Sequence, residues 1–292
     1  MKLTGAFLAI AFLLSPFACA RLNHPAPVDP SVITGTQGPA LTSKRSLRIA
    51  TYNDHMESAE KLVSVIKGNA NLREADLLLL QEIEAHESEG STRAEQIAEA
   101  LGMNFAYAPG YQLRSGGSHG VAVLSRLPLQ DVQRIELPYY HVVVNSAPRV
   151  ALAVTVTLDE QALRVFSVHL DNRINPHERL LQMQPVLRAA ADFPGPVIVA
   201  GDLNTSPFCW AGNLVPIPCG WQDNAMELGA KGYGLQSPVA GVGATSKWLA
   251  MKLDAIYTRG LAPGASAVER GVRLSDHLPM WLDLELPAAS GS

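Results

Sequence analysis

Short apolar runs that end on a polar residue recur along this chain. They constrain its fold more than any other feature. The clearest is VIVAGDLN, residues 197–204, where Val197, Ile198 and Val199 lead through a glycine to Asp202 and Asn204. Such a run, bounded by Gly and a following Pro, reads as a buried strand. Similar strand-like runs are LRIATYN (47–53), DLLLLQE (76–82), GVAVLS (120–125), LRVFSVHL (163–170), KLDAIYT (252–258) and HLPMWLDLEL (277–286). RVALAVTVTL (149–158) and LRVFSVHL form a neighbouring pair joined by a tight turn at Asp159, Glu160 and Gln161.

Helical signals fall between the runs. Residues 57–67 carry Leu62, Val63, Val65 and Ile66, with Gly68 as a stop. Thr92 and Glu95 fit a capping box ahead of Ile97, Ala98 and Leu101, and Gly102 ends that helix. Asn175, Pro176 and Glu178 open a third helix through Leu180, Leu181, Val186 and Leu187, with Pro185 a kink point. Strands and helices in alternation, with hairpin-like pairs, predict an α/β (α+β) four-layer sandwich. Two mixed sheets would pack together with helices on the outer faces.

The 292 residues are 47% hydrophobic, enough for a sizeable core. Residues 1–20 read as a signal peptide: Lys2, the apolar run GAFLAIAFLL, then Ala18-Cys19-Ala20. Export to the periplasm or medium follows, with a lipid anchor on Cys19 as the less favoured alternative. No other run has the length of a transmembrane span. Residues 21–46 read as a linker or extended arm, 47–287 as the main folded domain and 288–292 as a tail. Beyond Cys19 only Cys209 and Cys219 remain. In an oxidising compartment they read as a disulfide, the alternative being two buried thiols. The net charge of −4, without a Lys/Arg run, argues against a broad basic face for nucleic acid, though not against a local basic cleft.

Polar residues gather at the ends or edges of the strands: Asn53, Glu82, His169, Asp202 with Asn204, Asp254, and Asp276 with His277. Asp and Asn also favour turns, so at 202 and 204 a plain turn competes with a functional reading. Carboxylates and carboxamides without cysteine suit Mg2+, Mn2+ or Ca2+ better than zinc. Two histidines add proton transfer or charge stabilisation near neutral pH.

The ordered set TYN, LQE, VHL, GDLN and SDH resembles the endonuclease/exonuclease/phosphatase superfamily over residues 47–286. The resemblance implies a divalent-metal-dependent phosphohydrolase. Within it, Glu82 is the principal metal carboxylate, with Asn53 beside it and Asp276 a further metal or water ligand. Asp202 positions or deprotonates the attacking water and Asn204 assists; the Asp254–His277 pair is the alternative acceptor of the water proton. His277 contacts the scissile phosphate and Asp254 orients its ring. His169 steadies developing negative charge. Arg149 matches a phosphate-facing arginine, or is a solvated residue ahead of a strand. Asp54 departs from a slot that is usually apolar, and would face solvent or cap the next helix. His119 lies near the expected rim, with a surface-loop role the favoured reading. Trp248 lines a substrate loop or packs. Apurinic endonucleases usually carry Tyr at the position of His169, which argues against intracellular DNA repair. No aromatic membrane hairpin of the sphingomyelinase kind is evident; LPYYHVVV (137–144) reads as a strand. A monomeric exported phosphodiesterase with nuclease activity is the leading expectation. Small organic phosphates or lipid head groups follow as substrates, and a non-catalytic phosphate-binding protein is the reading from another class.

Overall fold

The computed structural model describes residues 28–38, 44–142, 147–239 and 241–286. The first sheet contains β1 (Ile33–Gly35), β2 (Ser46–Asn53), β3 (Leu77–Ala85), β4 (Asn104–Gln112), β5 (Ser118–Ser125), β13 (Ala262–Val268) and β14 (Met280–Glu285), in the order β1-β4-β5-β3-β2-β14-β13. The second contains β6 (Gln130–Glu136), β7 (Val150–Leu158), β8 (Gln161–His169), β9 (Val197–Asp202) and β12 (Asp254–Arg259), in the order β12-β9-β8-β7-β6. β10 (Phe208–Ala211) and β11 (Val215–Pro218) form a separate hairpin. Each large sheet has one parallel pair, β2 with β3 and β8 with β9, and both pairs are joined through helices. The remaining pairings are antiparallel, so both sheets are mixed.

Side-chain alternation builds the layers. Leu77 and Leu79 of β3 face Val154, Val165 and Ile198 of the other sheet. Their neighbours Leu78 and Leu80 face outward onto Leu62 and Ile66 of α1 (Ala59–Gly68) and Ile97 of α3 (Arg93–Leu101). α2 (Ala70–Arg73) is a single turn after α1. On the far side, Phe166, Val168 and Val199 pack under Met183, Val186 and Leu187 of α4 (Pro176–Asp192) and Met226 of α5 (Asp223–Gly232). Helices, sheet, sheet and helices give the four layers.

The caps follow the sequence. Thr92 accepts a hydrogen bond from the Glu95 amide, and Gly102 closes α3 in a left-handed conformation. Asn175 and Glu178 form the capping box of α4, and Pro185 lies inside that helix. Gly68 remains in α1; the stop falls at Asn69, whose side chain caps α2. Asp159 and Glu160 both take positive φ, which gives β7 and β8 a two-residue turn with Gln161 already in the strand.

Three readings change. The arm 21–46 contributes β1, which pairs with β4 at the sheet edge, and its Ser46 opens β2. The run 76–82 does not end at Glu82. A bulge there carries β3 on to Ala85. No strand covers residues 137–142, and 143–146 lie outside the described residues. Pro138 has no amide to give a ladder, and its carbonyl instead accepts from Gln182 of α4. The expected Cys209–Cys219 disulfide is present, and it closes the hairpin of β10 and β11. The leader 1–20 with Cys19, and the tail 288–292, also lie outside the described residues. Among those described, no helix is long and apolar enough to cross a membrane.

Candidate active site

Strand register assembles one half of the site. Across β8, β9 and β12, His169 pairs with Asp202, and Asp202 pairs with Asp254. The close approach of β8 and β9 requires Gly201. It has φ +149°, and a Cβ there would lie 1.9 Å from the Val168 carbonyl oxygen. β12 runs antiparallel to β9, so Asp254 stands at the start of its strand rather than at the end. His277 likewise precedes β14.

The other half comes from the facing sheet. The bulge in β3 puts Glu82 at φ +63° and turns its carboxylate toward the junction of the sheets. Asn53 spans that junction. Its Nδ2 donates to Glu82 Oε1 at 3.2 Å and to Asp202 Oδ2 at 2.9 Å, while its Oδ1 accepts from the His55 amide. Asn204, at φ +52°, donates its amide to Asp202 Oδ1 and its Nδ2 to Asp202 Oδ2 and the Leu170 carbonyl. The turn chemistry of Asp202 and Asn204 is real, and it coexists with their place in the cluster.

His277 Nδ1 lies 2.9 Å from Asp254 Oδ2, and its Nε2 lies 3.7 Å from Asp202 Oδ2. Thr245 fixes this pair from behind: its hydroxyl accepts the amides of Leu253 and Asp254, and its carbonyl accepts the Leu278 amide. Burial pulls the His277 pKa down, but Asp254 and Asp202 outweigh it and hold the ring at about 10, hence protonated near neutrality. Burial, with Asp254 beside it, raises Asp202 to about 7 against the opposing pull of His277. His169 sits 3.5 Å from Asp202 Oδ2. Burial and the Arg149 guanidinium push its pKa well below the ordinary value, so its ring is neutral. Arg149 Nη1 lies 3.2 Å from His169 Nδ1 and 3.3 Å from Nε2, at the rim. For Glu82, burial raises the pKa, yet the His119 and His169 imidazoles facing its oxygens and the Asn53 amide hold it well below normal.

The structure therefore brings together Asn53, Glu82, Arg149, His169, Asp202, Asn204, Asp254 and His277. Asp276 stands at the margin, one-third exposed, with contacts to the Ser275 hydroxyl at 3.3 Å and His55 Nδ1 at 4.0 Å. His55 is half exposed. Trp248 is 56% exposed in the loop behind His277.

Two residues stand apart from the sequence reading. His119 is not on a surface loop. It is 3% exposed in β5, stacked on Tyr111 at 4.6 Å, with Nε2 4.0 Å from Glu82 Oε2. The inward alternation of GVAVLS extends back to it, and that parity was the available signal. Asp54 neither meets solvent nor caps a helix. It is fully buried and neither oxygen has a hydrogen-bond partner. Burial, then Glu82, raise its pKa well above normal, which the Met56 amide and Arg93 only partly offset.

The donor set fits a divalent cation. Asp202, Asp254 and His277 offer ligand atoms within 4.8 Å of one another. His277 is protonated and tied to Asp254, however, and offers a metal no free lone pair. The Glu82 carboxylate, beside Asn53, is the better-matched oxygen donor.

Residues 50–277 match the model of the Endonuclease/Exonuclease/phosphatase family. The chain belongs to the endonuclease/exonuclease/phosphatase family. Members are metal-dependent phosphoester hydrolases, and the chain is an enzyme of that class. A UPF0294 protein of Yersinia enterocolitica is 24% identical over 251 residues, covering 85% of this chain and 87% of that protein. A solved endonuclease/exonuclease/phosphatase from Beutenbergia cavernae superposes with a TM-score of 0.68 at 21% identity, over 84% of this chain and 73% of that one. The human Nocturnin catalytic domain with bound sulfate anion gives a TM-score of 0.60 at 18% identity, over 88% and 97%. The shared family fold is the two-sheet sandwich described above.

Proposed function

We propose that this chain hydrolyses phosphodiester bonds by direct attack of water at the Glu82–Asp202–His277 rim. One observation carries this reading: a carboxylate poised near neutrality, Asp202, lies 3.7 Å from a protonated imidazole, His277, in a buried row. In this reading Asp202 accepts the proton of the attacking water, and the amide and carboxamide of Asn204 keep its carboxylate aimed. Asp254 holds His277 Nδ1, which leaves Nε2–H to donate to a phosphoryl oxygen. Arg149 supplies positive charge beside it, and neutral His169 supplies an N–H dipole rather than a charge. Glu82 would hold Mg2+, Mn2+ or Ca2+, with Asn53 and Asp276 as proposed oxygen partners. The cation, when bound, polarises a phosphoryl oxygen.

Nucleic acid is the leading substrate in this proposal. The bound sulfate in Nocturnin's catalytic domain supports tetrahedral-anion binding on this fold. A lipid head group is the second reading, and a specific feature favours it. Residues 203–222 contain no charged side chain, and the hairpin within them exposes Leu214, Val215 and Ile217 directly after Asn204. We further propose export of a monomeric enzyme, a compartment with which the Cys209–Cys219 disulfide is compatible.

The test is hydrolysis of plasmid DNA, RNA, bis-p-nitrophenyl phosphate, p-nitrophenyl phosphate and sphingomyelin vesicles. Each is assayed with Mg2+, Mn2+ or Ca2+ and with EDTA, beside Glu82→Ala. Metal-dependent turnover of the diesters, lost in the variant, is the expected result. Turnover of the monoester alone contradicts the diesterase reading. Phosphate-ester binding without turnover would instead support the binding-protein alternative.

A further inference from the structure

We propose that His119 is a nitrogen ligand of the cation held at Glu82, and that it tilts this site toward Mn2+ over Mg2+. The inference rests on the metal-dependent reading above and names a ligand beyond its oxygen set.

Three observations converge on His119. It lies on the inner face of β5, the face of Val121 and Val123, and is almost fully buried where the two sheets meet. Its Nε2 lies 4.0 Å from Glu82 Oε2, and the two oxygens of Glu82 are thus shared between His119 and His169, whose Nε2 is 3.9 Å from Oε1. Both neighbouring strands are distorted at this level. β3 bulges between Gln81 and Ile83, and β4 between Pro109 and Tyr111. The first bulge aims Glu82 at His119, and the second lays the Tyr111 ring flat against the imidazole. Bulges that re-aim side chains concentrate beside functional sites.

His169 is the less suitable nitrogen. The Arg149 guanidinium lies against both of its ring nitrogens, and a fixed positive charge there opposes a cation. His277 is occupied by Asp254. His119 is left as the imidazole facing Glu82 without a guanidinium on it among the described contacts. An imidazole beside carboxylates favours the later divalent metals, whereas Mg2+ takes oxygen almost exclusively.

The test is pulsed EPR of the purified chain with one equivalent of Mn2+, together with calorimetric titration of Mn2+ and Mg2+. The expected spectrum shows directly bonded imidazole nitrogen. That coupling is lost in His119→Gln and in His119→Phe, which keeps a ring against Tyr111, and it survives in His169→Gln. Mn2+ affinity falls by roughly tenfold or more in both His119 variants, as loss of groups supporting a metal typically costs, while Mg2+ affinity changes less. Bound Mn2+ without nitrogen coupling overturns the proposal. So does coupling that persists without His119 or vanishes with His169. If neither His119 variant folds, the wild-type and His169→Gln spectra still decide. A chain that binds no divalent cation, or binds it equally well as Glu82→Ala, fails differently: the metal reading at Glu82 falls first and takes this ligand with it.

Discussion

Asp254 Oδ2 and His277 Nδ1 lie 2.9 Å apart in a buried pair that joins the start of β12 to the loop before β14. The pair fixes both the direction of the imidazole and its charge. Replacing Asp254 by Asn removes the charge and keeps the shape. We expect the His277 pKa to fall from about 10. The turnover number should drop by about 100- to 10,000-fold, the usual range for a lost acid–base function, with KM little changed. Titration of the His277 ring resonances and steady-state kinetics check the two halves of this prediction.

The raised His277 pKa also sets a pH dependence of stability. Its folded value of about 10 exceeds the ordinary 6.5. Protonation therefore contributes stability that is complete below about pH 6.5 and is lost as pH rises through about 10. Melting curves in EDTA should show His277→Gln most destabilised near pH 6, with the gap closing toward pH 10. A constant gap would show that the ring's charge contributes nothing to folding.

Asp54 is a cost to the fold. Its buried carboxyl lacks partners for both oxygens, and such a group destabilises by about 1–3 kcal/mol. Asp54→Val should raise the melting temperature. Because the folded pKa lies above normal, the wild-type chain loses stability as pH rises through that value, so the gain should be larger at alkaline pH. A lower melting temperature at every pH would mean that the carboxyl has a stabilising role here.

The disulfide closes a short loop, Cys209 to Cys219, ten residues apart. Loop-closure entropy at this length is worth about 2–3 kcal/mol. Reduction, or the double change Cys209→Ser with Cys219→Ser, should lower thermal stability by that order. Proteolysis should then begin between residues 207 and 221. An unchanged melting temperature would place the clamp outside the cooperative core.

Most of the sheet framework was legible because buried strands leave continuous apolar runs with Gly, Pro or Asn at their ends. VIVAGD and RVALAVTVTL became β9 and β7 nearly residue for residue. Helix ends were legible wherever a capping side chain marked them, as at Thr92 and Asn175. Events that involve two strands at once were not. The bulge at Glu82 and the edge pairing of β1 depend on register with neighbours, which a single run does not encode. The gathering of Asn53, Asp202 and His277 could be anticipated because each closes or precedes a strand, whereas Glu82 reaches the site from a bulge inside β3. His119 reads toward a surface loop because a Gly-rich turn precedes it, although it stands near the rim. Asp54 was misread because a lone acid after a strand normally meets water.

The most direct measurement is the rate of bis-p-nitrophenyl phosphate hydrolysis by the unaltered chain and by His277→Ala, each with Mn2+ and with EDTA. A water attack served by Asp202 and His277 predicts cation-dependent turnover that EDTA abolishes. It also predicts a loss of about 100-fold or more in a variant that still folds. Equal rates in the two proteins, or turnover that EDTA leaves untouched, would contradict it.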